Sequence, residues 1–165
     1  MSNDGRDWQP PRYRMPESWT TRLTRWRINL HPTYWSTGAR VTYIASDWTE
    51  VRIRLPLSWR TRNYVGTIFG GAMYSAVDPF YMIMLIKLLG PGYIVWDKAA
   101  AIRFRRPGTT TLEARCAVDS AVLEGIRAEL EQLPKLERVF TVDLKSADGT
   151  VHAIVEKTLH ISRAS

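Results

Sequence analysis

Cysteine is almost absent: Cys116 stands alone among 165 residues. A lone cysteine can close no internal disulfide and supplies no four-cysteine zinc site. It points to a reducing compartment, expected here to be the cytoplasm. Lysine is missing from residues 1–62, where all eleven basic side chains are Arg. The opening MSNDGRDWQPPRYR has no apolar h-region, so no secretory signal is expected. A long apolar run is missing too. The densest stretch, residues 72–89, is broken by Asp78, Pro79 and Lys87. Its longest uninterrupted part falls far short of the roughly 20 residues that span a bilayer, so no membrane span is expected. His31, His152 and His160 fall in no metal-ligand spacing, and no metal site is expected.

Hydrophobic residues make up 45% of the chain and charged residues 24%, which describes a globular protein. The length suits one domain with a core large enough to fold unaided. The net charge of +7 is uneven: residues 1–62 carry +6 and residues 63–165 only +1. Six of the seven Trp also lie before residue 60. Such a surface suits phosphates, anionic lipid or nucleic acid. The ordered basic–aromatic pattern of RNA-binding modules is absent, so nucleic acid is not expected as a partner. Weak association with a membrane surface stays open, beside the plainer reading of an enzyme with an Arg-rich rim.

Residues 1–15 carry Pro10 and Pro11 and read as an irregular arm before a single domain over 16–165. Trp19, Leu23, Trp26 and Leu30 recur at helical spacing. That stripe is expected to cap the domain's own core. Residues 40–45 and 50–57 read as strands; Val51, Ile53 and Leu55 alternate with Arg52 and Arg54. A buried helix follows over 72–89, either kinked at Pro79 or restarted with Asp78 as N-cap and Pro79 as first residue. Gly90-Pro91-Gly92 stops it. Residues 93–106 read as a long strand, with 110–120 as its hairpin partner across Pro107-Gly108. Leu123, Ile126, Leu130 and Leu133 mark another amphipathic helix, closed by Pro134. Residues 138–145 and 150–162 form a last hairpin around Ala147-Asp148-Gly149. Cys116 reads as a core residue of its strand. Short turns between strands imply an antiparallel sheet, and the apolar helix must be covered nearly all round. The fold class is therefore α+β, with a curved sheet around a central helix.

The chemistry concentrates between Asn63 and Asp78. Gly70 and Gly71 open the central helix, where the first amides lack intrahelical partners and favour negative charge. Such amides make half of an oxyanion site. Asp78 is an acid inside an apolar helix and a candidate general base or nucleophile. The plainer readings are an N-cap or interface acid for Asp78, a turn residue for Asn63, and backbone shape for the glycines. Eight residues separate Gly70 from Asp78, about 12 Å along one helix. The two cannot act on one carbon within one chain. A catalytic pair therefore demands a second copy with its central helix antiparallel to the first. Lys98, Arg103, Arg105 and Arg106, on or just after the long strand, form a cationic group of the kind that holds phosphates. Their plainer reading is a solvated sheet face.

This segment resembles the hotdog-fold acyl-CoA thioesterases of the phenylacetate-pathway and human thioesterase-superfamily type. Their pattern is Asn, then His-Gly-Gly, then Asp eight residues after the first Gly. Asn63, Gly70 and Asp78 match these positions, whereas Phe69 replaces the His. The resemblance is closer to an uncharacterised bacterial branch with Phe/Tyr-Gly-Gly, an Asp-Pro pair (Asp78-Pro79), a Trp-Asp-Lys strand (Trp96-Asp97-Lys98) and a Pro-Gly turn. It implies a hotdog core over about 36–162, with an N-terminal helix and an extra helix before the last hairpin. It implies a homodimer or a dimer of dimers. It also implies catalysis by Asp78 with Asn63 and Gly70, and substrate contacts from Gly71, Phe69, Lys98, Arg103 and Arg106. The substrate would be an acyl-CoA or other acyl thioester, with no cofactor beyond the coenzyme A of that substrate. The alternative is a hotdog protein that binds acyl-CoA or a fatty-acyl chain without hydrolysing it.

Overall fold

The computed structural model describes residues 15–164, so all but the last residue of the expected arm lies outside the described residues. Ser18 opens helix α1 (Trp19–Leu30) with a capping box, its side chain accepting from the Thr21 amide while the Thr21 hydroxyl accepts from the Ser18 amide. A short helix α2 (Pro32–Ser36) follows, with Pro32 at its first position. Strands β1 (Arg40–Ile44) and β2 (Glu50–Leu55) come next. Helices α3 (Gly70–Val77) and α4 (Phe80–Leu89) together form the central rod. Strands β3 (Tyr93–Phe104) and β4 (Leu112–Ala117), helix α5 (Ser120–Gln132), and strands β5 (Lys135–Lys145) and β6 (Val151–Arg163) complete the chain.

The six strands form one antiparallel sheet in the order β1-β2-β4-β5-β6-β3. Its inner face wraps the rod. Phe80, Met84 and Leu85 of α4 have no exposed surface, and Val51, Leu112, Val155 and Leu159 meet them from the sheet. Burying each such side chain is worth about 1.5–3 kcal/mol. Residues 70–89 are apolar and long enough for a membrane span by length and composition, yet half of that stretch is buried inside this fold.

Two expectations about strand partners and helix faces are overturned. The strand 93–106 does not form a hairpin with 110–120. β3 pairs with β6 from Tyr93–Arg163 to Phe104–Ala153, while β4 lies between β2 and β5. The Pro107-Gly108 segment is a crossing. Gly108 accepts a hydrogen bond from the Ile68 amide at 2.8 Å and carries the chain past the start of α3. A Cβ there would lie 2.8 Å from Met73 Cε and 3.1 Å from Ile68 Cβ, so a side chain at this position would have to displace Met73.

Helix α1 is also turned the other way from the expectation. Trp19 (75% exposed), Leu23 (51%), Trp26 (58%) and Leu30 (69%) face solvent. Polar side chains dock the opposite face onto the sheet edge. Asn29 exchanges two hydrogen bonds with the Val41 backbone, at 2.8 and 2.9 Å. Glu17 accepts from the Ile44 amide at 3.1 Å and pairs with Arg25 at 2.8 Å. These bonds satisfy the unpaired backbone of edge strand β1. They outweigh the burial of the Trp–Leu stripe.

The Asp78-Pro79 junction excludes the restarted helix with Asp78 as N-cap, and Pro79 interrupts an otherwise continuous helical path. Both residues stay in the right-handed helical region; Asp78 closes α3 and Pro79 precedes α4. Asp78 caps no helix start. Its carboxylate is held from the sheet instead.

Candidate functional site

The loop before α3 is fixed by Asn63. Its Oδ1 accepts from the Val65 and Thr67 amides, at 3.1 and 3.0 Å, and its Nδ2 donates to the Thr67 hydroxyl at 2.9 Å. The side chain thus closes its own loop, and it does not line the large cavity described below. Phe69 is the N-cap of α3, with its amide tied to the Thr61 carbonyl at 2.7 Å. The first bond into the helix runs from the Met73 amide to the Phe69 carbonyl. The amides of Gly70, Gly71 and Ala72 therefore precede the helical ladder. An aromatic ring lies close over each glycine. A Cβ at Gly70 would lie 2.6 Å from the Phe104 ring, and one at Gly71 2.4 Å from the Phe69 ring.

Eight residues along, Asp78 meets a cation that sequence reasoning missed. Lys157 of β6 has a fully buried side chain. Its Nζ lies 2.5 Å from Asp78 Oδ1 and 3.0 Å from Asp97 Oδ1, and it donates to the Tyr74 hydroxyl at 3.3 Å. Burial works against the ammonium charge, but the two carboxylates outweigh it and hold the Lys157 group above its ordinary value. Burial and the Asp78 carboxylate push the Tyr74 hydroxyl up. Asp78 and Asp97 themselves keep 41% and 31% of their side chains exposed, so water reaches the carboxylates while the ammonium is sealed beneath them.

A cavity of about 840 Å³ lies between α1–α2 and the rod. Asp78, Ser75, Gly71 and Phe69 line one wall, and Arg27, His31 and Tyr34 the other. Arg60 completes the rim, its guanidinium 4.3 Å from the centre of the Trp35 ring. Tyr34 also anchors α2 to the rod by donating to the Ala76 carbonyl at 3.0 Å.

Three of the expected site residues, Phe69, Gly71 and Asp78, thus share one cavity. Gly70 adjoins it under Phe104. The cationic group lies elsewhere. Arg103 pairs in register with Ile154, on the outer face of the sheet, and forms an ion pair with Glu156 at 3.2 Å. Lys98 stands at the β3 bulge and pairs with Glu137. Lys157 and Asp97 point inward, so Lys98 and Arg103 are on the opposite side of the sheet from Asp78. Arg106 lines a second cavity of about 810 Å³ beside His152 and Asp148. His152 bonds the Pro107 carbonyl and the Ser146 hydroxyl, and no cluster of three metal-ligating side chains occurs among the described residues.

A family model described as "Domain of unknown function (DUF4442)" matches residues 20–161. The chain belongs to this family. No curated protein matches it. Among solved structures, this DUF4442 chain is similar to PA5026 of Pseudomonas aeruginosa, described as a protein of unknown function and probable thioesterase. The TM-score is 0.77 at 19% identity, covering 92% of this chain and 100% of that one. The thioesterase HI1161 of Haemophilus influenzae gives 0.66 at 14% identity, covering 92% and 96%. A mutant of the P. aeruginosa thioesterase PA1618 gives 0.65 at 13% identity, covering 86% and 94%. At these identities the likeness carries the fold. The DUF4442 chain has the hotdog fold of these thioesterase-like proteins.

Proposed function

We propose that this DUF4442 protein hydrolyses acyl-CoA thioesters at a site shared by two copies of the chain. The observation that carries the reading is the Asp78 carboxylate, open to a large cavity and fixed from beneath by the buried Lys157 ammonium. A carboxylate fixed in place beside a cavity is suited to take a proton from water or to attack a carbonyl directly. The thioester oxygen would rest on the Gly70 amide of the other copy, because about 12 Å separates the two groups along one rod. Water attacks the carbonyl carbon and its proton passes to Asp78. The oxyanion collapses, the C–S bond breaks, and the thiolate recovers the proton. In the direct route, Asp78 attacks the carbonyl carbon and the C–S bond breaks to expel the thiolate; water then cleaves the resulting anhydride, freeing Asp78 and the acid, and the proton released goes to the thiolate. Either route needs no cofactor, coenzyme A entering only as part of the substrate.

A dimer is supported by the sheet's two edges. Helix α1 covers the β1 edge, but the twelve-residue β3 edge is uncovered, with Trp96 64% and Phe104 57% exposed. An edge of that length is a pairing surface. Antiparallel β3–β3 pairing joins two copies into a homodimer with their rods side by side.

The test is thiol release from short, long and aryl acyl-CoAs, with Asp78→Asn in parallel. We expect turnover that falls about a hundredfold or more in the variant. Equal turnover in both proteins would remove Asp78 from the chemistry. A second reading, acyl-CoA binding without hydrolysis, is favoured by Asn63, whose side chain is committed to its own loop. Saturable binding by a folded protein that releases no thiol from any of these substrates would establish that reading.

A further inference from the structure

We propose that the outer face of α1 docks on an anionic lipid surface. This rests on observations separate from the hydrolysis reading. The helix WTTRLTRWRINL exposes Trp19, Leu23, Trp26 and Leu30 along a single stripe. At 100° per residue, Arg22 falls on one flank of the stripe and Arg27 on the other, both exposed. The helix contains three Arg and no acid. An apolar band with Trp, bordered by cations on both sides, is the composition of a helix lying in a membrane interface.

Charge decides between occupants. A second copy laid on this face would bring Arg22 and Arg27 against the same cations, with no acid of α1 to meet them. The first 62 residues as a whole carry +6. An anionic leaflet supplies what a copy lacks, with attraction from each Arg near the surface. The burial pattern agrees. The stripe is left in water although the helix is rigidly attached, by Asn29 to Val41 and Glu17 to Ile44, so the exposure is built in rather than a product of loose packing.

The same helix walls the large cavity with Thr24, Arg27 and Ile28. Docking therefore places the lipid surface against the outer side of a helix whose inner side faces the candidate site. An amphiphile leaving the leaflet has one helix diameter to cross, about 10 Å.

The experiment is flotation of the full chain with vesicles of phosphatidylcholine alone or with about one third phosphatidylserine, at low and high salt. Leu23→Glu/Trp26→Glu and Arg22→Glu are run beside the wild type, with light scattering on all three. These side chains are exposed, so the variants should keep the wild-type melting temperature. We expect binding to the phosphatidylserine vesicles, weakened by salt. It should fall about tenfold or more in the double variant and about tenfold in Arg22→Glu. No binding, equal binding to both vesicle types, or unchanged binding by the double variant would overturn the proposal. A smaller assembly in the double variant would instead assign the stripe to an interface between copies, and would overturn it too.

Discussion

Replacing Lys157 by Met tests the arrangement beneath Asp78. The side chain is fully buried and touches two carboxylates, at 2.5 and 3.0 Å, and a tyrosine hydroxyl at 3.3 Å. A hydrogen bond to a charged group contributes about 1.5–3 kcal/mol when sealed from water. Here both acids are about a third or more exposed, so solvent replaces much of what each loses. A net loss of about 2 kcal/mol is the reasonable expectation, since Met fills most of the vacated volume. For a domain of this length that lowers Tm by roughly 4–8 °C. The pH dependence carries a definite sign. The Lys157 group is held above its ordinary value of 10.5, so its contribution is complete below that pH and is lost as pH rises through the raised value. The gap between wild type and Lys157→Met should be constant from neutral pH to about 10 and narrow above it. Denaturant unfolding of both proteins at several pH values measures that gap. In thiol-release assays the variant's kcat should fall, because Asp78 loses the ammonium that fixes its carboxylate from beneath. A variant as stable as wild type at neutral pH, with an unchanged kcat, would refute the reasoning.

Glu50→Gln should cost about 1 kcal/mol at neutral pH. Burial works against the Glu50 charge, but Arg115 at 2.7 Å and Arg52 hold its carboxyl below the ordinary value of 4.5, so the difference should be full above that pH and be lost as pH falls through the lowered value. Cys116 is buried and its thiol is pushed up to about 12 by desolvation, so it should resist thiol reagents at pH 8 until denaturant unfolds the chain. Tyr34→Phe removes the donor to the Ala76 carbonyl and should lower stability by about 1 kcal/mol, read by thermal melting. Gly70→Ala puts a methyl 2.6 Å from the exposed Phe104 ring, which can swing aside. The amide stays in place but the methyl obstructs approach to it, so acyl-CoA turnover should fall far more than stability; wild-type turnover would show that no substrate passes close over the Gly70 backbone.

Local periodicity carried the elements, and non-local partners carried most of what it missed. The alternation of Val51, Ile53 and Leu55 identified β2, and the helical spacing of Ile126 and Leu130 identified α5, whose inward residues are indeed buried. Neither signal says which strand pairs with which. The Pro107-Gly108 pair looks like a hairpin turn, and only its contact with Ile68 and Met73 makes it a crossing. The α1 stripe was legible as a stripe but not in its direction, because hydrogen bonds from Asn29 and Glu17, not apolar area, set the helix's rotation.

The centre of the site is legible in the pattern of charges. Val155, Leu159 and Ile161 alternate along β6, and Lys157 falls in the same phase. A lysine at an inward strand position is an anomaly unless an acid meets it. Asp78, at the junction of the two apolar helices of the rod, is the complementary anomaly. Each charge alone would be costly to bury; paired, they satisfy one another and leave the carboxylate facing the cavity. Two such misfits of opposite sign, one on a strand and one on the helix it covers, predict their own contact. That inference needs only the strand period and the sign of the charges. It singles out Lys157, which a search for catalytic motifs passes over because its role is to hold Asp78 in place.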